Sequence, residues 1–170
     1  YNLEGIEAST GSLGQGLSAA NGMAMAAKAD KKDYRVYCIC GDGELQEGQI
    51  WEAAMTAAHY KLDNLTLFVD CNGLQIDGKV EDVMNVAPVS DKFQAFGWKV
   101  LEVNGHDIAA IDQAVEKAKA LKESPTVIVC KTTKGKGISF MENQAGWHGA
   151  APDEQQFKTA MEDLKRQGGL

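Results

Sequence analysis

The sequence is poor in the residues that staple, stiffen or embed a chain. Four of its 170 residues are cysteine (Cys38, Cys40, Cys71, Cys130), all in apolar, strand-like runs and none in C-x-x-C spacing. That argues against a disulfide framework and against a zinc site, and leaves the thiols as small core residues of a reducing compartment, expected to be the cytoplasm. The three prolines (Pro88, Pro125, Pro152) fall at segment boundaries, and no proline-rich linker is present. No apolar run approaches the roughly 20 residues of a membrane span, and no charged-then-apolar leader opens the chain. An excess of basic charge is missing too: 17 Lys and Arg against 24 Asp and Glu leave a formal charge of −7. This balance argues against nucleic acid and against an anionic membrane as partners. With 44% hydrophobic and 24% charged residues, the chain matches a single soluble globular domain rather than a disordered one.

What is plentiful is glycine, 18 in all, and its clustering matters more than its number. Tyr1 to Thr10 shows no period or cap, and it reads as the middle of something longer. After Gly11-Ser12-Leu13-Gly14-Gln15-Gly16 comes an Ala- and Met-rich stretch, Leu17 to Lys28, predicted helical. Four apolar runs follow as predicted strands: Val36–Cys40, Leu65–Val69, Trp98–Val103 and Thr126–Cys130. Three are near-continuous, as expected of strands buried on both faces. Helical patterns cover Glu47–Tyr60, Ser90–Phe96, Ile108–Lys122 and Asp153–Lys165. The alternation predicts an α/β fold, a parallel sheet with helices on both faces. Each strand is followed by a chemically loaded segment: Gly41-Asp42-Gly43, Asp70-Cys71-Asn72-Gly73, Asn104-Gly105-His106-Asp107, and Lys131 to Gly137. The carboxyl ends of parallel strands share one rim, where ligands bind, so these segments converge there. The opposite-rim loops, Ala29–Asp33 and Lys61–Asn64, read as plain charged turns.

Asp42 at a strand exit is a hard oxygen donor suited to Mg²⁺ or Ca²⁺, and its flanking glycines let backbone N–H groups approach an anion. A ligand-free turn is the competing reading. Asn72, about thirty residues on at the end of the expected neighbouring strand, would add a second oxygen ligand, and a carbonyl of the Asn72–Gln75 turn a third. Mg²⁺ with so few protein ligands completes its shell from phosphate oxygens and water, which suggests a diphosphate-bearing cofactor.

GDG followed about thirty residues later by Asn is the diphosphate-binding motif of thiamine-diphosphate enzymes. STGSLGQGLSAANGMAMA, GDGELQEGQIWEAAMTAAHYKLDNL, DCNGLQIDG, NGHD and WHGAAP, in that order, resemble the N-terminal half of transketolase. The resemblance runs from about Glu7 to Pro152, and Gln75-Ile76-Asp77-Gly78 sets it apart from deoxyxylulose-phosphate synthases and 2-oxoacid dehydrogenase E1 subunits. The spelling is most similar to the N-terminal subunit of split bacterial transketolases.

The resemblance implies a thiamine-diphosphate-binding fold of the diphosphate-binding (PP) type, one domain over residues 1–170 lacking the family's N-terminal start. It implies Asp42, the Asn72 side chain and the Leu74 carbonyl as metal ligands, and contacts from Gly43 and Asn72 to the diphosphate. Gly11, Ser12 and Leu13 would touch the cofactor, Ser12 standing where the family usually has Pro. His148 would reach the diphosphate and the donor sugar; Glu47 would sit at a subunit interface and communicate between paired active sites. Read without the resemblance, Glu47 is a first-turn acid and His148 a solvated loop histidine, while Lys131–Lys136 reads either as a contact for an anionic substrate or as a set of solvated loop lysines. His59 reads as core or interface, and His106 precedes Asp107, a helix N-cap. The implied activity is transfer of a two-carbon ketol unit from a ketose phosphate to an aldose phosphate, in the pentose phosphate pathway. The pyrimidine-binding domain with its essential Glu resembles nothing here, so the implied partner is a pyrimidine-binding C-terminal subunit, in a dimer of heterodimers. The alternatives are a non-catalytic cofactor-holding domain and part of a different thiamine-diphosphate enzyme.

Overall fold

The computed structural model describes residues 4–168. Four strands form one wholly parallel sheet: β1 (Val36–Gly41), β2 (Leu65–Cys71), β5 (Lys99–Asn104) and β6 (Thr126–Lys131), in spatial order β1-β2-β6-β5. Val36 lies opposite Leu65 and Gly41 opposite Asp70; Thr66 lies opposite Thr126 and Cys71 opposite Lys131. The strand exits therefore align along one edge. A small antiparallel hairpin, β3 (Leu74–Gln75) and β4 (Gly78–Lys79), stands off the end of β2 and leads into the short helix α3 (Val80–Met84).

Helices α1 (Gln15–Ala29), α2 (Gly48–His59) and α4 (Val89–Ala95) cover one face. Leu17, Ala20 and Ala24, with Ile50, Ala53 and Ala57, pack onto Cys38, Cys40, Leu65, Leu67, Val69, Val127 and Val129. Alanines at these positions bring α1 and α2 close enough for Asn21 Nδ2 to donate to the Ala53 carbonyl at 2.9 Å. Phe93 of α4 is fully buried, 5.2 Å from the Trp51 ring and 5.4 Å from that of Trp98, whose indole donates to the Ala54 carbonyl at 2.9 Å. Trp98 thus serves this aromatic cluster, and the strand begins one residue later than its pattern predicts. On the other face, α5 (Ile108–Ala120) packs Ala114 against Ile128 and Cys130. Its position follows from chirality: the chain runs β5 to β6 in the direction opposite to β1 to β2, and right-handed crossovers then place α2 and α5 on opposite faces.

The second face is not covered everywhere. On β1, Tyr37 is 45% and Ile39 75% exposed, so this strand alternates where its apolar run predicts burial on both sides. The last helix, α6 (Glu154–Arg166), opens with a capping box in which Asp153 and Gln156 bond reciprocally, and Asp163 anchors it to the Ser139 N–H and hydroxyl at 2.9 and 2.6 Å. The rim at the amino ends of the strands is laced rather than plain: Lys28 pairs with Asp63 at 2.7 Å, Lys61 with Glu123 at 2.6 Å, and Asp63 also accepts the Glu123 N–H at 3.2 Å. All four cysteines are free thiols, and no described helix is long and apolar enough to cross a membrane.

Candidate functional site

The exits of β1 and β2 meet through one carboxylate. Asp42, only 5% exposed, accepts the Gly43 N–H on Oδ1 at 2.9 Å and the Gly73 N–H on Oδ2 at 2.6 Å. It therefore joins the Gly41-Asp42-Gly43 turn to the Asn72-Gly73 turn, the two segments predicted to act together. Burial pushes the Asp42 carboxyl above the ordinary aspartate value; the Gly73 and Gly43 N–H groups oppose that, and the nearby Asp70 charge adds to it.

Asn72 is held in one orientation. Its Oδ1 accepts the Leu74 N–H at 2.9 Å, while its Nδ2 donates to Asp70 Oδ2 at 3.1 Å. The other oxygen of Asp70 accepts the hydroxyl of Thr132, just beyond β6. Asp70 and Thr132 are site residues to which the sequence reading gave no role, although both lie at strand ends. Gly43 has a packing reason to be glycine, because a Cβ there would lie 3.0 Å from the Gln75 Cβ. Gln75 is in turn held by Gln46, whose amide donates to Gln75 Oε1 at 2.5 Å and to the Met84 carbonyl at 2.8 Å. An open cleft of about 370 Å³ lies beside the turn, lined by Asn72, Gly73, Leu74, Lys79, Glu81 and Asn143. Cys71, between Asp70 and Asn72, is half-buried; desolvation first, then the Asp42 and Asp70 charges, push its thiol up to about 12.

The other expected residues lie outside these two turns. Gly11, Ser12 and Leu13 form an exposed loop ahead of α1, and Leu13 leaves 55% of its surface in solvent. Gly14 ends the loop in the left-handed conformation (φ 83°), its N–H donating to Glu44 Oε1 at 2.9 Å. The amino ends of α1 and α2 lie together, where Gln15 and Gln49 exchange amide hydrogen bonds at 2.6 and 3.1 Å. Both helix dipoles thus present their positive ends at this rim. Glu47 is exposed at the N-cap position of α2 and makes no side-chain capping bond. His148 lies exposed in a single turn, Ala145–His148, which packs against β3; its Nδ1 is 3.5 Å from Lys134 Nζ. His106 accepts the Thr133 N–H on Nε2 at 2.7 Å, tying the loop after β5 to the loop after β6, and Asp107 caps α5 as expected through the Ala110 N–H at 3.0 Å. His59 is exposed against the edge of Tyr60 and belongs to no core.

The donor set fits a hard cation. Among the described residues, no three His, Cys, Asp or Glu side chains cluster to hold a metal, so any cation here would rest on one buried carboxylate and neutral oxygens. Each hydrogen-bonded oxygen of Asp42 and Asn72 keeps a second lone pair, and the Leu74 carbonyl lies beside them in sequence. So sparse a protein shell suits a cation that also binds phosphate oxygens.

The model of a protein family described as "Transketolase, thiamine diphosphate binding domain" matches residues 1–167. The chain is similar to an apulose-4-phosphate transketolase subunit of Phocaeicola vulgatus, 46% identical over 162 residues that make up 95% of this chain and 58% of that protein. It is equally similar to the 6-deoxy-6-sulfo-D-fructose transketolase subunit SqwG of a Clostridium species, 46% identical over 164 residues, 96% of this chain and 60% of that one. The chain thus spans about three-fifths of the length of these relatives. Among solved structures, a transketolase from Campylobacter jejuni superposes with a TM-score of 0.88 at 42% identity, over 95% of this chain and 26% of the other.

Proposed function

We propose, because the chain belongs to the transketolase thiamine diphosphate binding domain family, that it is the diphosphate-holding part of a split transketolase. In this reading it joins a pyrimidine-binding subunit in a dimer of heterodimers, and the pair moves a two-carbon ketol unit from a ketose phosphate to an aldose phosphate. The observation that supports it best is the double contact of Asp42, which brings the two motif turns within one hydrogen bond of each other. Asp42, Asn72 and the Leu74 carbonyl would hold Mg²⁺ or Ca²⁺, while Gly43, Asn72 and the Gly11-Ser12-Leu13 loop would hold thiamine diphosphate. When bound, the cofactor supplies the nucleophilic carbon and the electron sink for carbon–carbon cleavage.

The chain's own residues then bind and orient. Backbone N–H groups and the two helix amino ends oppose the charge of the diphosphate that the metal leaves uncompensated. Asp70 and Thr132 fix the Asn72 amide so that its oxygen, not its NH₂, is offered to the metal. His148, exposed and with Lys134 Nζ 3.5 Å from its Nδ1, would donate to a phosphate or to a sugar hydroxyl. Glu47, which makes no capping bond to its own helix, would accept a hydrogen bond from a donor across a subunit interface. Four free thiols suit a cytoplasmic site of action.

The test is reconstitution with a pyrimidine-binding transketolase subunit. Xylulose 5-phosphate with ribose 5-phosphate should yield sedoheptulose 7-phosphate only when thiamine diphosphate and Mg²⁺ are present. A panel of other ketose donors, apulose 4-phosphate and 6-deoxy-6-sulfofructose among them, would define donor preference. No transfer from any donor would overturn the assignment. Asp42→Ala should abolish calorimetric binding of the cofactor with Mg²⁺, and undiminished binding would remove the metal role.

A further inference from the structure

Glu44 has a place in this site that neither motif spacing nor charge count reveals. It lies on the single 3₁₀ turn Gly43–Gln46, directly after the metal-binding turn. Its carboxylate reaches two backbone donors from segments far apart in sequence: Oε1 accepts the Gly14 N–H at 2.9 Å and Oε2 the Gly41 N–H at 3.2 Å. The Gly41 donor is otherwise stranded. The Asp42 N–H bonds the Asp70 carbonyl at 3.1 Å, so that of Gly41, one residue earlier, points to the open side of β1, beyond which no strand lies among the described residues. The Gly14 donor belongs to a buried, left-handed residue whose Cβ, if it had one, would meet the Glu47 Cβ at 2.9 Å. The loop that carries Gly11, Ser12 and Leu13 thus ends on a hinge with no side chain of its own to fix it.

We propose that Glu44 is a positioning residue, which sets the separation between the cofactor-contacting loop Gly11–Gly14 and the metal-binding turn at Asp42. The role rests on the cofactor reading above. One carboxylate clamps the end of the loop and the exit of β1, so the two halves of the diphosphate cradle move as one unit. Charge-assisted bonds to backbone donors are among the stronger hydrogen bonds available for this.

The geometry sets two effects of opposite sign against each other, which makes the proposal sharply testable. A carboxylate near a diphosphate repels it, so a residue acting only through its charge would tighten cofactor binding when neutralised. A clamp predicts the reverse. Glu44→Gln keeps the shape but turns an NH₂ toward one of the two N–H donors, and Glu44→Ala removes both acceptors. Each variant should bind thiamine diphosphate with Mg²⁺ roughly tenfold more weakly than the parent by calorimetry, in the reconstituted complex, at low and at high salt. Amide hydrogen exchange at Gly14 and Gly41 should quicken by about tenfold or more while that of β2 and β6 is unchanged. Tighter or unchanged binding in Glu44→Gln overturns the proposal, as does faster exchange with unaltered affinity, which would make Glu44 a purely structural tie. A parent complex that binds no cofactor at all would overturn the functional reading itself, a pattern distinct from either.

Discussion

The contrast between two glycines of one helix offers the strictest test of the packing described above. Gly14 leads α1 at φ 83°, and a Cβ built on it would stand 2.9 Å from the Glu47 Cβ; Gly22, within α1, has nothing within 4 Å. Alanine at position 14 must hold a left-handed conformation, at about 1–2 kcal/mol. It must also push apart the amino ends of α1 and α2, where such overpacking typically costs about 1–3 kcal/mol. Reduced freedom of the unfolded chain returns only about 0.4–1 kcal/mol. Gly14→Ala should therefore destabilise by about 2–4 kcal/mol, which for a chain of this size lowers Tm by roughly 6–12 °C. Gly22→Ala meets no obstacle and replaces the poorest ordinary helix former with the best, so it should stabilise by about 0.5–1 kcal/mol. Urea unfolding of the two variants and the parent, followed by far-ultraviolet circular dichroism, measures both. A Gly14→Ala cost below about 0.5 kcal/mol would refute the reasoning, since either the strain or the approach of Glu47 would then be absent.

Two further perturbations probe the core and the site. Phe93→Ala should cost about 3–5 kcal/mol in urea melts and shift tryptophan emission, because the fully buried ring separates Trp51 from Trp98; a cost under about 1 kcal/mol would place that ring outside the core. In metal-free protein, burial raises the Asp42 carboxyl, so the folded state holds that proton more tightly than the unfolded chain does. Its contribution to stability is then present below the ordinary aspartate value of about 3.9 and lost as pH rises through the raised folded value. Asp42→Asn does not titrate there, so the stability of the parent relative to this variant should fall as pH rises through that window; a flat or rising difference would show that the Gly43 and Gly73 N–H bonds outweigh burial.

The fold was legible wherever one physical cause acted alone. Residues 65–69 and 126–130 are apolar because both faces of β2 and β6 are covered, and their strands lie where the pattern puts them, each running slightly further at its carboxyl end. β1 has the same spelling, yet Tyr37 and Ile39 face solvent, since apolar character does not say whether a neighbour exists to cover it. The β3–β4 hairpin escaped notice because two-residue strands carry no period, and α1 begins two residues before its pattern because a left-handed glycine, not a side chain, caps it. Asp42 and Asn72 could be named because glycine and oxygen-bearing residues follow two strand ends. Their supports could not. Thr132 reaches Asp70 across 62 residues, once the parallel register is set, and Glu44 reaches Gly14 across 30, once α1 is packed on the sheet.

The laced rim at the amino ends of the strands has a consequence for how the molecule would respond to its medium. Lys61 and Glu123 there are well exposed, and Lys28 with Asp63 partly so, which leaves this rim open to screening by added salt. At the opposite rim the principal ties are carboxylates and amides on backbone N–H groups, among them Asp42 to Gly73, Glu44 to Gly14 and Asn72 to Leu74. Short contacts of that kind yield little to ionic strength. Added salt therefore screens the exposed pairs of both rims, Lys61–Glu123 at one end and Lys131–Glu102 and Lys136–Glu142 at the other, while the carboxylate and amide ties around Asp42 keep their grip.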